Sequence, residues 1–305
     1  MSPRVRTVLG DIEPGELGAT DYHEHLFQVS PLLAGDELDD EVASGREADL
    51  LRGSGAAAMV EATPTGLGRR PEAVARVSER SGLRIVHVTG AHREAHYTPG
   101  DPLLDESVDA LERRFAEELY TGMDGTTVRA GAVKAGAGYW SFTGFERRVL
   151  AAAGRLGSTG VPVMVHLEHG SAGHEVLDLL AEEGCPADRV ALAHVDRNPD
   201  AGLHRELAER GAYLGYDGAA RHQRWPDSVL VDCLATVVQT GGGNRVLLGG
   251  DVARRTRYVA YGGMPGLAYL FERFVPRVRG AVGDAEIDRL LVANPARWLS
   301  WEPVQ

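Results

Sequence analysis

Eight short apolar runs rich in β-favouring residues recur along the chain, and no other feature limits its fold as strongly. They read GATDYHEHL, AAAMVEATP, LRIVHVTGAH, RAGAVKAGA, VPVMVHLEH, RVALAHVD, GAYLGYDG and NRVLLGGD. Amphipathic stretches lie between most of them, among them DESVDALERRFAEELYTG, TGFERRVLAAAGRLG and DAGLHRELAERG, each ending near a glycine that suits a helix C-terminus. Eight β units alternating with helices predict an α/β fold, the (β/α)8 TIM barrel. The tail DAEIDRLLVANPARWLSW reads as one or two closing helices, with Pro295 starting a new turn after Asn294. A barrel can use all 305 residues around one core, and no linker, low-complexity tract or charge block divides them. Residues 1–305 are therefore read as a single domain.

Composition narrows the partners. With 43% hydrophobic and 25% charged residues the chain should fold, and a formal charge of -12 leaves no basic surplus for nucleic acid or a membrane surface. A local cationic pocket is still allowed. Cys185 and Cys233 lie far apart, form no CxxC pair, and read as buried small hydrophobes in a reducing compartment. The start of the chain has basic residues without an apolar segment behind them, and no run reaches membrane-spanning length, so the cytoplasm is the expected location.

Barrel enzymes carry their chemistry at the C-terminal ends of strands. Metal-capable side chains should then fall at the ends of the eight runs, and they do. His23 and His25 end the first run two residues apart, a spacing that on a strand aims both imidazoles into the barrel mouth and Glu24 away. His166 sits near the end of the fifth run, His194 near the end of the sixth, and Asp251 closes the eighth, where a carboxylate can bind a metal and accept a proton. Singly, each histidine could be a hydrogen-bonded core residue, and an Asp after a strand commonly caps a helix. Together, four histidines and an aspartate on four strand ends point to Zn²⁺, Mn²⁺ or Co²⁺. The fourth run adds the only lysine of the chain, Lys134, inside AGAVKAGA. A buried neutral amine can add CO2 and become a bridging carbamate, which the protonated guanidinium of arginine cannot do.

The chain resembles the phosphotriesterase-like hydrolases of the amidohydrolase superfamily. The resemblance rests on TVLGDIEPGELGATDYHEHLF, RAGAVKAG, PVMVHLEHG, VALAHVD, VLLGGDVARR and LLVANPARWL, and it spans essentially the whole sequence. It implies two divalent ions, zinc first, one held by His23, His25 and Asp251 and the other by His166 and His194, with a CO2-derived carbamate on Lys134 and a hydroxide between them. It also implies that Asp251 takes the hydroxide proton and passes it to the leaving group. Family members are often dimers, so a homodimer is left open.

Two cations bring the pKa of a shared water near neutrality and polarise the oxygen under attack, so the expected reaction is hydrolysis at C=O or P=O. No G-x-S-x-G elbow, phosphate-binding P-loop or dinucleotide fingerprint offers another chemistry. The loops after the seventh and eighth runs, GAARHQRWPD and VARRTRYVAYGG, hold Arg221, Arg224, Arg254, Arg255, Arg257 and Tyr258. Barrels often bind phosphate at those two loops, so a small anionic substrate is expected there. The loop after the third run, REAHYTPGD, offers Glu94, His96 and, as a further substrate contact, Tyr97. This pattern is similar to the branch of the family that hydrolyses phosphorylated sugar lactones and to the phosphotriesterase-homology proteins. Gly218 follows Asp217 where the family's acyl-homoserine lactonases carry Arg, which argues against that substrate. The function expected is hydrolysis of a lactone or related ester, the phosphorylated sugar lactones included. An amidase or a phosphoester or phosphotriester hydrolase could use the same centre. A barrel that only binds a small ligand would be marked by a missing metal ligand, and none is missing. His87, His92, His169, His174, His204 and His222 carry no role on sequence grounds; His87 reads as core, and His174 and His204 as helical.

Overall fold

The computed structural model describes residues 2–302. A hairpin of β1 (Arg4–Thr7) and β2 (Gly10–Ile12) precedes the main sheet. The eight expected runs then form β3 (Thr20–Glu24), β4 (Ala58–Glu61), β5 (Arg84–Gly90), β6 (Ala132–Ala137), β7 (Val163–Leu167), β8 (Val190–Ala193), β9 (Tyr213–Tyr216) and β10 (Val246–Leu248). They pair in parallel in chain order, each with the next. The first and last strands meet where the Asp251 N–H donates to the His23 carbonyl at 2.9 Å, so the sheet is a nearly closed barrel. Between the strands lie α1 (Glu41–Gly53), α2 (Pro71–Ser81), α3 (Val108–Tyr120), α4 (Gly144–Ser158), α5 (Gly173–Glu182), α6 (Ala201–Glu209) and α7 (Asp227–Gln239). After β10 come α8 (Val275–Val282), α9 (Asp284–Asp288) and α10 (Asn294–Leu299), and a short β11 (Ser300–Trp301) pairs with β1.

Strand alternation sorts the core into two layers. Ala58 and Val60, Val86 and Val88, Ala132, Met164, Ala191 and Leu247 fill the barrel, closed below by Trp298 and Leu299. The opposite parity, such as Met59, Ile85, Val133, Val163 and Leu192, packs outward on Leu51, Val74, Phe115, Leu150 and Leu177 of the helices. Local sequence starts the helices cleanly: Asp40 accepts from the Val42 and Ala43 amides, and Thr143 with Glu146 makes a capping box.

One detail differs from expectation. The helix expected to stop near Gly157 runs through it to Ser158, because Gly157 is the point of contact with Cys185, whose Sγ would lie 2.4 Å from an added Cβ. The tail matches expectation: one nearly continuous helical run, with a wide turn over Arg289–Ala293 between α9 and α10, and Pro295 opening α10. No helix of the described residues is long and apolar enough to cross a membrane.

Candidate metal centre

Alternation alone would not bring His23 and His25 inward, because Tyr22 already points into the barrel. A bulge does it. Asp21 pairs with Met59 and Glu24 with Glu61, so β3 carries one extra residue between them, and Tyr22 and His23 can both face the interior. Glu24 turns away as expected but stays buried, accepting the Val252 amide at 2.9 Å beside the Asp251 turn. Asp251 has φ 45 and caps no helix. His194 lies just past β8 with φ 69, and His166 and Lys134 are on β7 and β6.

The six expected ligands converge at the C-terminal mouth. His23, His25 and Asp251 each offer an atom within one 4.8 Å cluster. Lys134 Nζ lies 3.2 Å from His23 Nε2, and His166 Nδ1 lies 2.8 Å from His194 Nε2. All six residues are buried. Burial pushes His25 and His194 down to about 3, and lowers His23 and His166 as well, so the imidazoles are neutral and keep a lone pair each. Burial also brings Lys134 down to about 8. Burial opposes the charge on Asp251, but the Arg221 guanidinium holds its carboxyl well below the usual range.

The outer nitrogens of these rings decide whether cations fit. His194 Nδ1 is 2.6 Å from Asp217 Oδ1, and His166 Nε2 is 2.9 Å from Glu168 Oε2, so both outward nitrogens carry the proton. The inward atoms, His166 Nδ1 and His194 Nε2, are then two lone pairs facing each other at 2.8 Å. A cation between them removes that repulsion. His23 repeats the pattern, with Nδ1 donating to Asp217 Oδ2 at 3.0 Å and Nε2 facing Lys134, while His25 Nδ1 meets Thr63 Oγ1 at 2.7 Å. Nitrogen and carboxylate donors around a partly neutral lysine fit divalent metal and a carbamate.

Asp217 also clusters with His23 and His194 within 4.8 Å. Its oxygens are already committed to His23, His194 and the Tyr22 hydroxyl, so it braces the ligands from behind. That role was not anticipated, although Asp217 ends the seventh run and the strand-end rule alone could have raised it. Arg197 was missed with no sequence signal. It reaches Asp251 Oδ2 at 2.9 Å, and Arg221 grips the same oxygen and the Asp251 carbonyl. Glu168 also joins Arg93 at 3.0 Å.

Beside the ligands lies a cavity of about 590 Å³, lined among others by Arg197, Arg221, Arg224, Arg254 and Arg257. Four expected substrate contacts are therefore on its wall. Arg254 is tied to Asp36 at 3.1 Å and Arg224 to His169 at 3.0 Å, whereas Arg257 Nη2 and Arg221 Nε are buried without a partner. The two tyrosines are elsewhere. Tyr258 is fully buried with its hydroxyl on the His25 carbonyl, and Tyr97 spends its hydroxyl on Thr65 O and the His92 amide. Neither lines the cavity, because each is a packing tyrosine bound to backbone.

Comparison with known proteins agrees with this geometry. The profile described as the phosphotriesterase family matches residues 3–299. A phospho-furanose lactonase of Mycoplasmopsis synoviae strain 53 is 29% identical, covering 97% of this chain and 92% of its own. An N-acetyltaurine hydrolase of Tetraodon nigroviridis is 28% identical over 99% of each. The crystal structure of a lactonase from Listeria monocytogenes superposes with a TM-score of 0.92 at 30% identity, covering 98% of this chain and 100% of the other.

Proposed function

The chain belongs to the phosphotriesterase family, and from that premise we propose that it is a metal-dependent hydrolase of an anionic lactone, the phosphorylated sugar lactones being the favoured class. One observation carries the substrate side of this reading: Arg221, Arg224, Arg254 and Arg257 all line the cavity next to the ligand cluster, a concentration of guanidinium groups that suits an anion. Burial and the neighbouring charge of Arg221 press the pKa of Arg257 down, a strain that an anion between the two would relieve.

His23, His25 and Asp251 would hold one divalent ion and His166 and His194 the other, with carboxylated Lys134 shared. Bound there, the two ions would supply hydroxide near neutral pH and polarise the carbonyl under attack. The residues do the rest. Asp251 Oδ2 is fixed by Arg197 and Arg221, which leaves Oδ1 facing His23 and His25 to accept the proton of the attacking water and return it to the ring oxygen that leaves. Asp217 keeps His23 and His194 in the tautomer that points a lone pair inward. Arg257 and Arg221 hold the anionic end and so place the ring over the centre.

The relative named N-acetyltaurine hydrolase supports a second reading, cleavage of an N-acyl amide with an anionic tail, by the same groups. Parallel pH-stat assays of the zinc-loaded protein on phosphorylated lactones, neutral lactones, N-acyl sulfonates and phosphoesters separate the two. Fastest turnover is expected on the phosphorylated lactones. Turnover confined to the N-acyl compounds would replace this reading with the amidase.

A further inference from the structure

His92, left without a role by the sequence, and His96, offered by the loop after the third run, stand beside the ligand cluster. The rings of His92 and His96 stack with centroids 3.8 Å apart, and the ring of His92 is 4.6 Å from that of His166. Both residues are more than nine-tenths buried. The hydrogen bond of His92 settles its tautomer: Nδ1 accepts the Arg93 amide at 2.7 Å, so the proton is on Nε2. His96 Nδ1 lies 3.0 Å from Ser30 Oγ. Neither Nε2 has a hydrogen-bond partner among the described residues, and neither nitrogen is among the sealed, unpartnered buried atoms. His87 shows the contrast: its Nδ1 meets the Val88 carbonyl and its Nε2 is sealed in the core.

Position gives the pair a use. His92 and His96 follow β5, the third barrel strand, and the arginine cavity is built largely on the loops after β9 and β10, the seventh and eighth. Third and seventh strands of an eight-stranded barrel face each other, so a substrate anchored by Arg257 and lying across the ligands ends at the histidines. We propose that His92 and His96 form a second binding wall, whose two Nε2 atoms, His92 as a donor, hydrogen-bond the hydroxyl groups of a polyhydroxylated, anionic lactone. This rests on the hydrolase reading above and adds to it the hydroxylated end of the substrate. Hydroxyls both donate and accept and so suit either tautomer of His96, and an apolar acyl chain there would leave both nitrogens unpaired.

The test compares the zinc-loaded protein on a phosphorylated γ-lactone bearing ring hydroxyls and on its dideoxy counterpart. The wild type should favour the hydroxylated lactone in kcat/KM by about tenfold for each donor used. The double variant His92→Phe, His96→Phe should lose that preference, read as the ratio of kcat/KM on the two lactones, and His92→Gln, which keeps a donor at the same reach, should restore part of it. Metal content equal to wild type checks the site; if the double variant loses metal, the two single Phe variants read the same ratio. A preference that survives both Phe substitutions, or an equal fall on both lactones, overturns the proposal. If the wild type opens neither lactone, the hydrolase reading fails by itself, and calorimetry with the open phosphorylated hydroxy acid decides the pair. Binding weakened in the Phe variant by about tenfold relative to the dideoxy acid supports it, and unchanged binding overturns it.

Discussion

Lys134 Nζ lies 3.2 Å from His23 Nε2, and no carboxylate forms an ion pair with Lys134 among the described residues. Burial disfavours the charge on Lys134 by more than Asp251, Asp217 and Glu61 favour it, and brings its pKa down to about 8. At pH 7 about a tenth of the amine is then neutral, against a few parts in ten thousand for a free lysine.

The pH dependence of metal loading follows from that depressed value. CO2 adds only to the neutral amine, so acid removes the reactive form. Metal uptake by chelator-stripped protein, followed at one fixed concentration of dissolved CO2, should rise about tenfold per pH unit from pH 6 towards 8 and then level off. Lys134→Arg should lose this dependence, bind fewer ions and fall at least about a hundredfold in hydrolysis. Elemental analysis and stopped-flow uptake are the measurements. Uptake in the parent that ignores both bicarbonate and pH would remove the carbamate.

Asp217 braces three groups at once, and Asp217→Asn keeps its size while replacing an acceptor oxygen with N–H. Either His23 or His194 must then face a donor with a donor, or move its proton to the inward nitrogen that the metal needs. Metal affinity should fall by about 10- to 100-fold, read by competition with a chromophoric chelator, with Asp217→Ala no better.

Arg257 and Arg221 both face the cavity but differ in what else they touch, since Arg221 also grips Asp251. Arg257→Ala should raise KM for phosphorylated lactones by about tenfold or more and leave a neutral lactone unchanged. Arg221→Ala should alter kcat on both, because it frees the carboxylate proposed to handle the proton. Identical effects of the two variants would mean that Arg257 does not meet the substrate.

How far the sequence foretold this centre depends on what each residue's role requires. The eight strands were legible because buried parallel strands read as apolar runs, and the convergence of the six expected ligands because a barrel gathers strand ends at one mouth. Tyr258 and Tyr97 stood in the right loops, yet a tyrosine's direction is set by which carbonyl its hydroxyl can reach, here those of His25 and Thr65. Arg197 comes to Asp251 from another strand's loop, a long-range pairing that no spacing encodes. The bulge in β3 was equally hidden, since an extra residue shows only against the partner strand.

Gly90 closes β5 where the backbone of Lys134 passes closest. It has φ 99, and a Cβ there would lie 1.9 Å from the Lys134 carbonyl oxygen. Two costs meet at one position: a left-handed backbone that alanine adopts poorly, and a collision with the strand that carries the lysine. Gly100 separates them, having φ 87 with open space around its missing Cβ. Gly100→Ala should cost only the backbone term, about 1 kcal/mol. Gly90→Ala should cost about 3 kcal/mol or more, lower Tm several degrees further, and reduce metal content by shifting Lys134 away from His23. Thermal melts of the two variants, each with and without zinc, distinguish the terms. If Gly90→Ala melts with Gly100→Ala and binds metal normally, the close approach of β5 to Lys134 does not set the position of the lysine.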